Sequence, residues 1–383
     1  MLRCLALTAT LMSRAALAQA AGEATGSAPD GGISSSSAPI TVAPEPLPPA
    51  PGETLLQRLA LTVGMFGNFD GAVSSGEVPG FAIGQVDLFV TSRPLPSLSL
   101  LAEVVFEAGT DHAFVVDVER LMASWLFDPR LRVTVGRVHQ ALGYYNAAFH
   151  HGTLLMNTVA RPAALAFEDA GGVLPVHAIG VEVAGDWELG DLSLGYNLTV
   201  ANGRGRNPDE ILNVKDLNPT KSVLGALTLT HLGWGARLGI NALYDRIPVQ
   251  TDGTGVQLRP AQDEVILGAH VLLDRSPVWF LAEGYLIDHT SSLGLRRSLG
   301  FFAEGRISIR PAYLYARFDL VSHPAEIDPF FDPQAPVSST RSVLMGVGWK
   351  VVSALVVKLE GELAFPAAGV VLPTARAQVA WSL

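Results

Sequence analysis

From residue 55 to its end the chain repeats one pattern, short segments in which apolar and polar side chains alternate. In 191–201, Leu192, Leu194, Tyr196, Leu198 and Val200 point one way, and Asp191, Ser193, Gly195, Asn197 and Thr199 the other. These are the two faces of a β-strand. The pattern returns in 298–309, with Leu299, Phe301, Ala303, Ile307 and Ile309 opposing Ser298, Glu304, Arg306 and Ser308. It returns again in 312–321, 354–365 and 374–383. Sixteen segments are read this way: 57–69, 81–92, 97–107, 113–127, 130–139, 176–187, 191–201, 221–231, 235–246, 262–273, 278–288, 297–309, 312–321, 341–351, 354–365 and 374–383. Two of them depart from it. Arg120 breaks the face on which Asp117 and Glu119 fall on the other parity, and 278–288 is apolar on both faces. A bulge, a displaced boundary or a protein contact would account for either, so the pattern fixes the strand count to within two.

Alternation does not say which face is inside. Composition and size do. The chain is 49% hydrophobic and only 16% charged, with a mean hydropathy of +0.31. Yet it contains no apolar run of the roughly 18–20 residues that a membrane helix needs. A closed sheet of sixteen strands with its apolar face inward would enclose a large dry hole, and charged side chains facing lipid would cost several kcal/mol each. The polar face therefore lines the inside. The connections agree: turns such as 93–96, 128–129, 188–190 and 274–277 are short, whereas 140–175, 202–220, 247–261 and 322–340 are long. That in-phase asymmetry belongs to outer-membrane barrels. An even strand count places both termini on the short-turn, periplasmic side.

Ahead of the barrel, residues 1–20 read as a signal peptide, with Arg3, an apolar core and A-x-A sites at 16–18 and 18–20. The only cysteine, Cys4, lies within it. A thiol-free mature chain suits export through an oxidising compartment and removes cysteine chemistry from consideration. Residues 21–54, rich in Pro, Ser, Ala and Gly, cannot bury enough surface to order themselves and read as a disordered periplasmic tether.

The third outward connection, 140–175, is the longest. Together with its flanks it carries GRVHQALGYYN (136–146), HHG (150–152), RP (161–162), FEDAGG (167–172) and LPVH (174–177). Over 132–182 the chain resembles Gram-negative outer-membrane porins similar to the phosphate-selective porin family. The resemblance implies a sixteen-stranded barrel, typically trimeric, whose third loop folds inward and narrows the lumen. Two departures stand out. The loop sets Arg161 against Glu168 and Asp169 instead of presenting a cluster of basic residues, so phosphate specificity is not carried over. The chain also ends Trp381-Ser382-Leu383 without a terminal aromatic. The loop's apolar residues, among them Tyr144, Tyr145, Phe149, Leu154, Leu155, Met156, Leu165 and Phe167, need a surface to pack on, and the barrel wall is the one available.

The expected architecture is thus an all-β, membrane-spanning antiparallel barrel over 55–383 with 140–175 as a constriction. The expected function is passive diffusion of small hydrophilic solutes or ions, with outer-membrane lipid as surroundings, no cofactor and no nucleic-acid partner. Candidate lumen or constriction residues are Glu103, Glu107, Arg130, Arg132, Tyr144, Tyr145, His150, His151, Arg161, Glu168, Asp169, Glu182, Arg237, Glu304, Arg306, Arg317, Asp319, Lys358, Glu360 and Glu362. Asp87, Asp245 and Arg376 share the same parity. Acidic and basic members are too evenly matched to set an ion preference. No metal is expected at His150–His151, because no Asp, Glu or His follows at helical ligand spacing and the nearest carboxylate in the loop is Glu168. Two other functions are weighed: a non-conducting structural or adhesin barrel, and a lipid hydrolase built on His231 beside Thr230. For His231 the interfacial reading, with Trp234 as a girdle aromatic, is preferred.

Overall fold

A computed structural model of the chain describes residues 59–75, 78–108, 114–150, 152–167, 171–208, 210, 215–216, 218–367 and 369–383. The signal peptide and tether read at 1–20 and 21–54 lie outside the described residues, as do His151, Glu168 and Asp169. The described chain is a closed antiparallel barrel of sixteen strands, each paired with its neighbours in sequence. They are β1 Thr62–Ser74, β2 Gly80–Leu95, β3 Leu98–Ala108, β4 Phe114–Asp128, β5 Leu131–His139, β6 His177–Leu189, β7 Leu192–Asn202 and β8 Lys221–His231. The second half comprises β9 Ala236–Ile247, β10 Gln262–Arg275, β11 Val278–Ser291, β12 Gly294–Ile309, β13 Ala312–Ser322, β14 Thr340–Val352, β15 Leu355–Pro366 and β16 Leu372–Ser382. A small two-stranded piece, Gln250–Thr251 with Gln257–Arg259, decorates one loop. β1 and β16 close the ring, Phe66 opposite Ser382 through Ser74 opposite Thr374. Closure leaves no sheet edge, which is what a strand in lipid requires.

Exposure alternates along the strands as the sequence pattern demands. Ile240, Leu314, Met345 and Leu359 lie more than half exposed on the outer face, while Asp245, Arg317 and Lys358 on the same strands are buried within. Trp125, Trp187, Trp234 and Trp349 all sit outward near the short-turn end, where aromatic rings prefer the lipid–water boundary. No described helix is long and apolar enough to cross a membrane.

Strand boundaries depart from the sequence reading mainly at the start, where β1 runs Thr62–Ser74 instead of 57–69. Asp70 carries it past 69 on the inward face: Asn68 Nδ2 donates to Asp70 at 2.6 Å, and Gln378 of β16 donates to Asp70 at 3.0 Å.

The parity break at Arg120 is a bulge. Glu103 of β3 pairs with Arg120, and the next residue, Val104, pairs with Val118. Glu119 is therefore the extra residue, and both Glu119 and Arg120 turn inward, the re-aiming that bulges produce. Opposite, Gly136 of β5 has φ +124°, and a Cβ there would lie 2.0 Å from the Leu121 carbonyl oxygen. Only glycine fits.

Gly136→Ala should accordingly lower barrel stability by about 1–3 kcal/mol from backbone strain alone. Gly361→Ala, whose Cβ meets open space, should change it by no more than about 0.5 kcal/mol. Urea unfolding of the barrel in lipid vesicles measures both.

Candidate functional site: the loop across the lumen

The connection between β5 and β6 enters the barrel. It contains one short helix, α1 (Tyr145–Phe149), and a 3-10 turn at Ala163–Leu165. Most of its backbone N–H and C=O groups thus lack secondary-structure partners, and buried orphans of this kind are costly. The wall supplies the partners, sorted by sign. Carboxylates take the N–H groups: Glu283 accepts from Tyr144 N at 2.6 Å and Tyr145 N at 2.8 Å, Glu360 from Val159 N at 2.7 Å, and Asp319 from Ala163 N at 3.1 Å. Cations take the carbonyls. Arg317 donates to Ala160 O and Arg161 O, both at 2.8 Å, and Lys358 to Thr153 O at 2.5 Å and Thr158 O at 3.0 Å. Asn157 is held by its side chain, donating to Glu304 at 2.8 Å and accepting from Arg306 at 2.7 Å.

The direction of these contacts fixes where the loop lies. It leaves from β5, and Arg317 and Asp319 belong to β13, which is halfway round the ring. The loop spans the lumen. Apolar packing seats it: Leu142, Tyr145, Met156, Leu165 and Leu174 join Ile266, Leu281 and Phe302 of the wall in one cluster. Leu154 joins Tyr313, Tyr315 and Leu344 in another. Strand β11 is apolar on both faces because Trp279, Leu281, Tyr285 and Ile287 point inward at the loop. Among loop groups, burial pushes the Tyr145 hydroxyl above its ordinary range.

The remaining lumen candidates divide by height. Glu103 pairs with Arg120; Glu107 is half-buried on the outer half of β3. Toward the short-turn end, Arg132 meets Glu182 at 3.1 Å, and Arg237 donates to Thr230 at 3.1 Å beneath the Tyr144 ring. Arg306 flanks Trp279, and Arg130 is exposed in a turn. Arg376 bridges Glu360 at 3.1 Å and Glu362 at 2.6 Å. Arg161 lies 4.3 Å over the Phe167 ring and donates to the His150 carbonyl. Above the loop, Arg204 reaches Glu264 at 2.6 Å. His289 bridges Glu264 at 3.0 Å and Asp328 at 2.7 Å, so the loop that carries Asp328 and Phe330 folds over this side of the outer mouth.

His150 is brought beside residues far from it in sequence. His139, the last residue of β5, and His177, the first of β6, are register partners, and both turn toward Glu119, the bulged residue. The ligand atoms of the four lie within 4.8 Å of one another. Burial pulls the His150 imidazole well below the ordinary histidine range, with His139 the next contributor. Ligand spacing along the loop held no sign of this group. The signal was elsewhere, in a histidine at each end of the loop and the parity break at Glu119–Arg120.

His231 stacks on Trp234 with ring centroids 4.6 Å apart and 5° between planes, while Thr230 faces the other way, into the lumen. Ring stacking at the boundary is what this geometry offers.

No family model matches the chain, and no curated protein matches it. Solved structures do. An anion-selective porin from Comamonas acidovorans has a TM-score of 0.58 at 10% identity, over 84% of this chain and 99% of that one. The outer-membrane channel DcaP of Acinetobacter baumannii gives 0.57 at 8%, over 84% and 97%. The trimer form of OmpT, an outer-membrane protein of Vibrio cholerae, gives 0.54 at 11%, over 84% and 99%.

The fold is that of the outer-membrane porins. Within the porin fold, this chain commits Glu283, Glu304, Arg317, Asp319, Lys358 and Glu360 of its wall to its loop. Arg317→Met removes the donor to two loop carbonyls and leaves Glu304 and Asp319 buried without their cation. The expected cost is about 3–5 kcal/mol, read as a lower urea midpoint and as new protease cleavage within 146–166 of the otherwise intact barrel.

Proposed function

We propose that this chain is an outer-membrane porin of a Gram-negative bacterium, passing small hydrophilic solutes or ions by diffusion, without catalysis, through a lumen narrowed by residues 140–175. The observation that carries the reading is the loop spanning a sixteen-stranded barrel and pinned to the wall opposite its root. A barrel of this size without an inward loop would be an open, poorly selective pore; a tied loop reduces it to a narrow passage where nearby charges act in a low dielectric. On the short-turn side that passage opens past Arg132, Arg237 and Arg306, with Glu182 among them. A trimeric assembly, as in one of the similar structures, is part of the proposal.

One observation favours a second reading, the non-conducting barrel. Glu304, Arg317, Asp319 and Lys358, placed by sequence on the water-lined face, are nearly fully buried against the loop, and Phe330 and Asp328 cover part of the outer mouth. Planar-bilayer recordings under a salt gradient separate the two. A porin gives stable conductance steps, and the reversal potential reports the preferred ion sign. Folded, heat-modifiable barrel that stays silent indicates the structural reading. Deleting 146–166 should raise single-channel conductance severalfold; an unchanged conductance removes the loop as the constriction.

A further inference from the structure

Three imidazoles meet one carboxylate where the loop leaves the wall. His150 Nε2 is 2.8 Å from Glu119 Oε1, His139 Nε2 is 3.2 Å from the same oxygen, and His177 Nε2 is closer still. His150 Nε2 and His177 Nε2 are themselves only 2.8 Å apart. All four side chains are nearly inaccessible, at 1–6% exposure.

We propose that Glu119, His139, His150 and His177 form a binding site for a divalent d-block ion of the zinc type, which fastens the head of the lumen loop to the barrel wall. The reading is independent of whether the channel conducts. Hydrogen bonding around Asn146 carries the argument. Its Nδ2 donates to Gln140 O at 3.0 Å and Val176 O at 2.9 Å, so the amide orientation is fixed and Oδ1 is left as acceptor. The group facing that oxygen, 2.7 Å away, is His150 Nδ1, which must therefore carry the proton. Neutral His150 then presents a lone pair at Nε2, aimed at a carboxylate oxygen and at a second imidazole nitrogen, both 2.8 Å off. A proton on His177 Nε2 can serve that atom's own contacts, but it leaves the 2.8 Å contact between His150 Nε2 and Glu119 Oε1 without a hydrogen, and a cation shared by these atoms supplies what that contact lacks. The Asn146 contact is also what metal-bound histidines ordinarily have, a partner on the other ring nitrogen that fixes the tautomer.

The donor set selects the ion. Three imidazole nitrogens and one carboxylate suit zinc and its neighbours, whereas calcium and magnesium take all-oxygen shells. Four protein ligands, all nearly buried, mark a closed, structural site, not a catalytic one. Tetrahedral donors about 2.0–2.1 Å from an ion sit roughly 3.3 Å apart. The 2.8 Å contacts therefore open by roughly half an ångström on binding, His177 and Glu119 separate by more, and His139 tilts out of its 3.7 Å stack on His150. Each neighbouring cation has a partner of its own, Arg161 among them on the His150 carbonyl. Arg120 is paired with Glu103, and Arg137 is turned to the Glu119 backbone carbonyl at 3.0 Å.

The test uses the full-length barrel, purified without a histidine tag, stripped with chelator and dialysed. Titration with Co2+ should give one equivalent per chain and the intense visible absorption of a four-coordinate nitrogen–oxygen site, displaced by Zn2+ and not by Ca2+ or Mg2+. Zn2+ should raise the unfolding midpoint and protect the loop from protease. His150→Gln and Glu119→Gln, checked for heat-modifiability, should abolish stoichiometric uptake. Wild-type barrel that takes up no stoichiometric Co2+ or Zn2+ overturns the proposal, as does uptake that the two variants leave unchanged; either result makes the cluster a proton-bridged ion pair. Where a variant does not fold, the wild-type stoichiometry and spectrum decide alone.

Discussion

Putting an irregular loop inside a closed barrel creates a problem of unsatisfied backbone groups, and its solution organises this molecule. A strand in the wall satisfies its own N–H and C=O groups through its neighbours. A loop of this length cannot, and in a narrow lumen it cannot count on water for every group. The inward faces of β11 to β15 supply what is missing, with carboxylates opposite N–H groups and cations opposite carbonyls. Charge-assisted hydrogen bonds of this kind are roughly twice as strong as neutral ones, and the backbone dipoles they hold stabilise the buried wall charges. Glu304, Arg317 and Asp319 form a compact set in which Arg317 lies 3.4 Å from Glu304 and 2.7 Å from Asp319. Removing the loop would leave that set facing an open lumen.

The same requirement accounts for the apolar residues on the inner face. A water-filled barrel should be polar within, yet Tyr313, Tyr315, Leu281, Phe302 and Leu344 all point inward. They cover the loop's Tyr145, Leu154, Met156 and Leu165. Polar anchors fix the loop's position along the wall, and apolar contacts remove the water that would loosen those anchors. The interior is a packed core on the loop side, with polar space reserved for what remains.

Much of this architecture was legible in the sequence. The period-2 pattern located all sixteen strands, because a barrel strand must show opposite faces to lipid and lumen residue by residue. Short and long connections in alternation gave the orientation of the termini. The inward course of 140–175 followed from apolar residues with no other surface to cover. What stayed hidden was everything that depends on contacts between distant strands. Parity assigns Glu360 or Lys358 to the inside, but cannot say whether it meets water or a loop backbone. A two-sided apolar segment such as 278–288 signalled a contact without naming its partner. His150 is the sharpest case, since its neighbours along the chain are uninformative, and Glu119, His139 and His177 reach it only through the bulge and the β5–β6 register.

That cluster bears on how the loop is held as a whole. On the far side of the lumen the loop is tied by many separate bonds to β13 and β15. At its root, where β5 ends and β6 begins, the register pair His139–His177 is followed by Gln140 N donating to Val176 O at 3.0 Å and by Asn146, whose amide bridges the Gln140 and Val176 carbonyls. Glu119, turned inward by the bulge, reaches over from β4 to meet both. On the far side several wall residues share the load, Arg317 carrying more than one of the bonds, whereas at the root four side chains converge on one point. The loop's far end is secured by number and its root by convergence, and a change at the root should reorient the whole crossing.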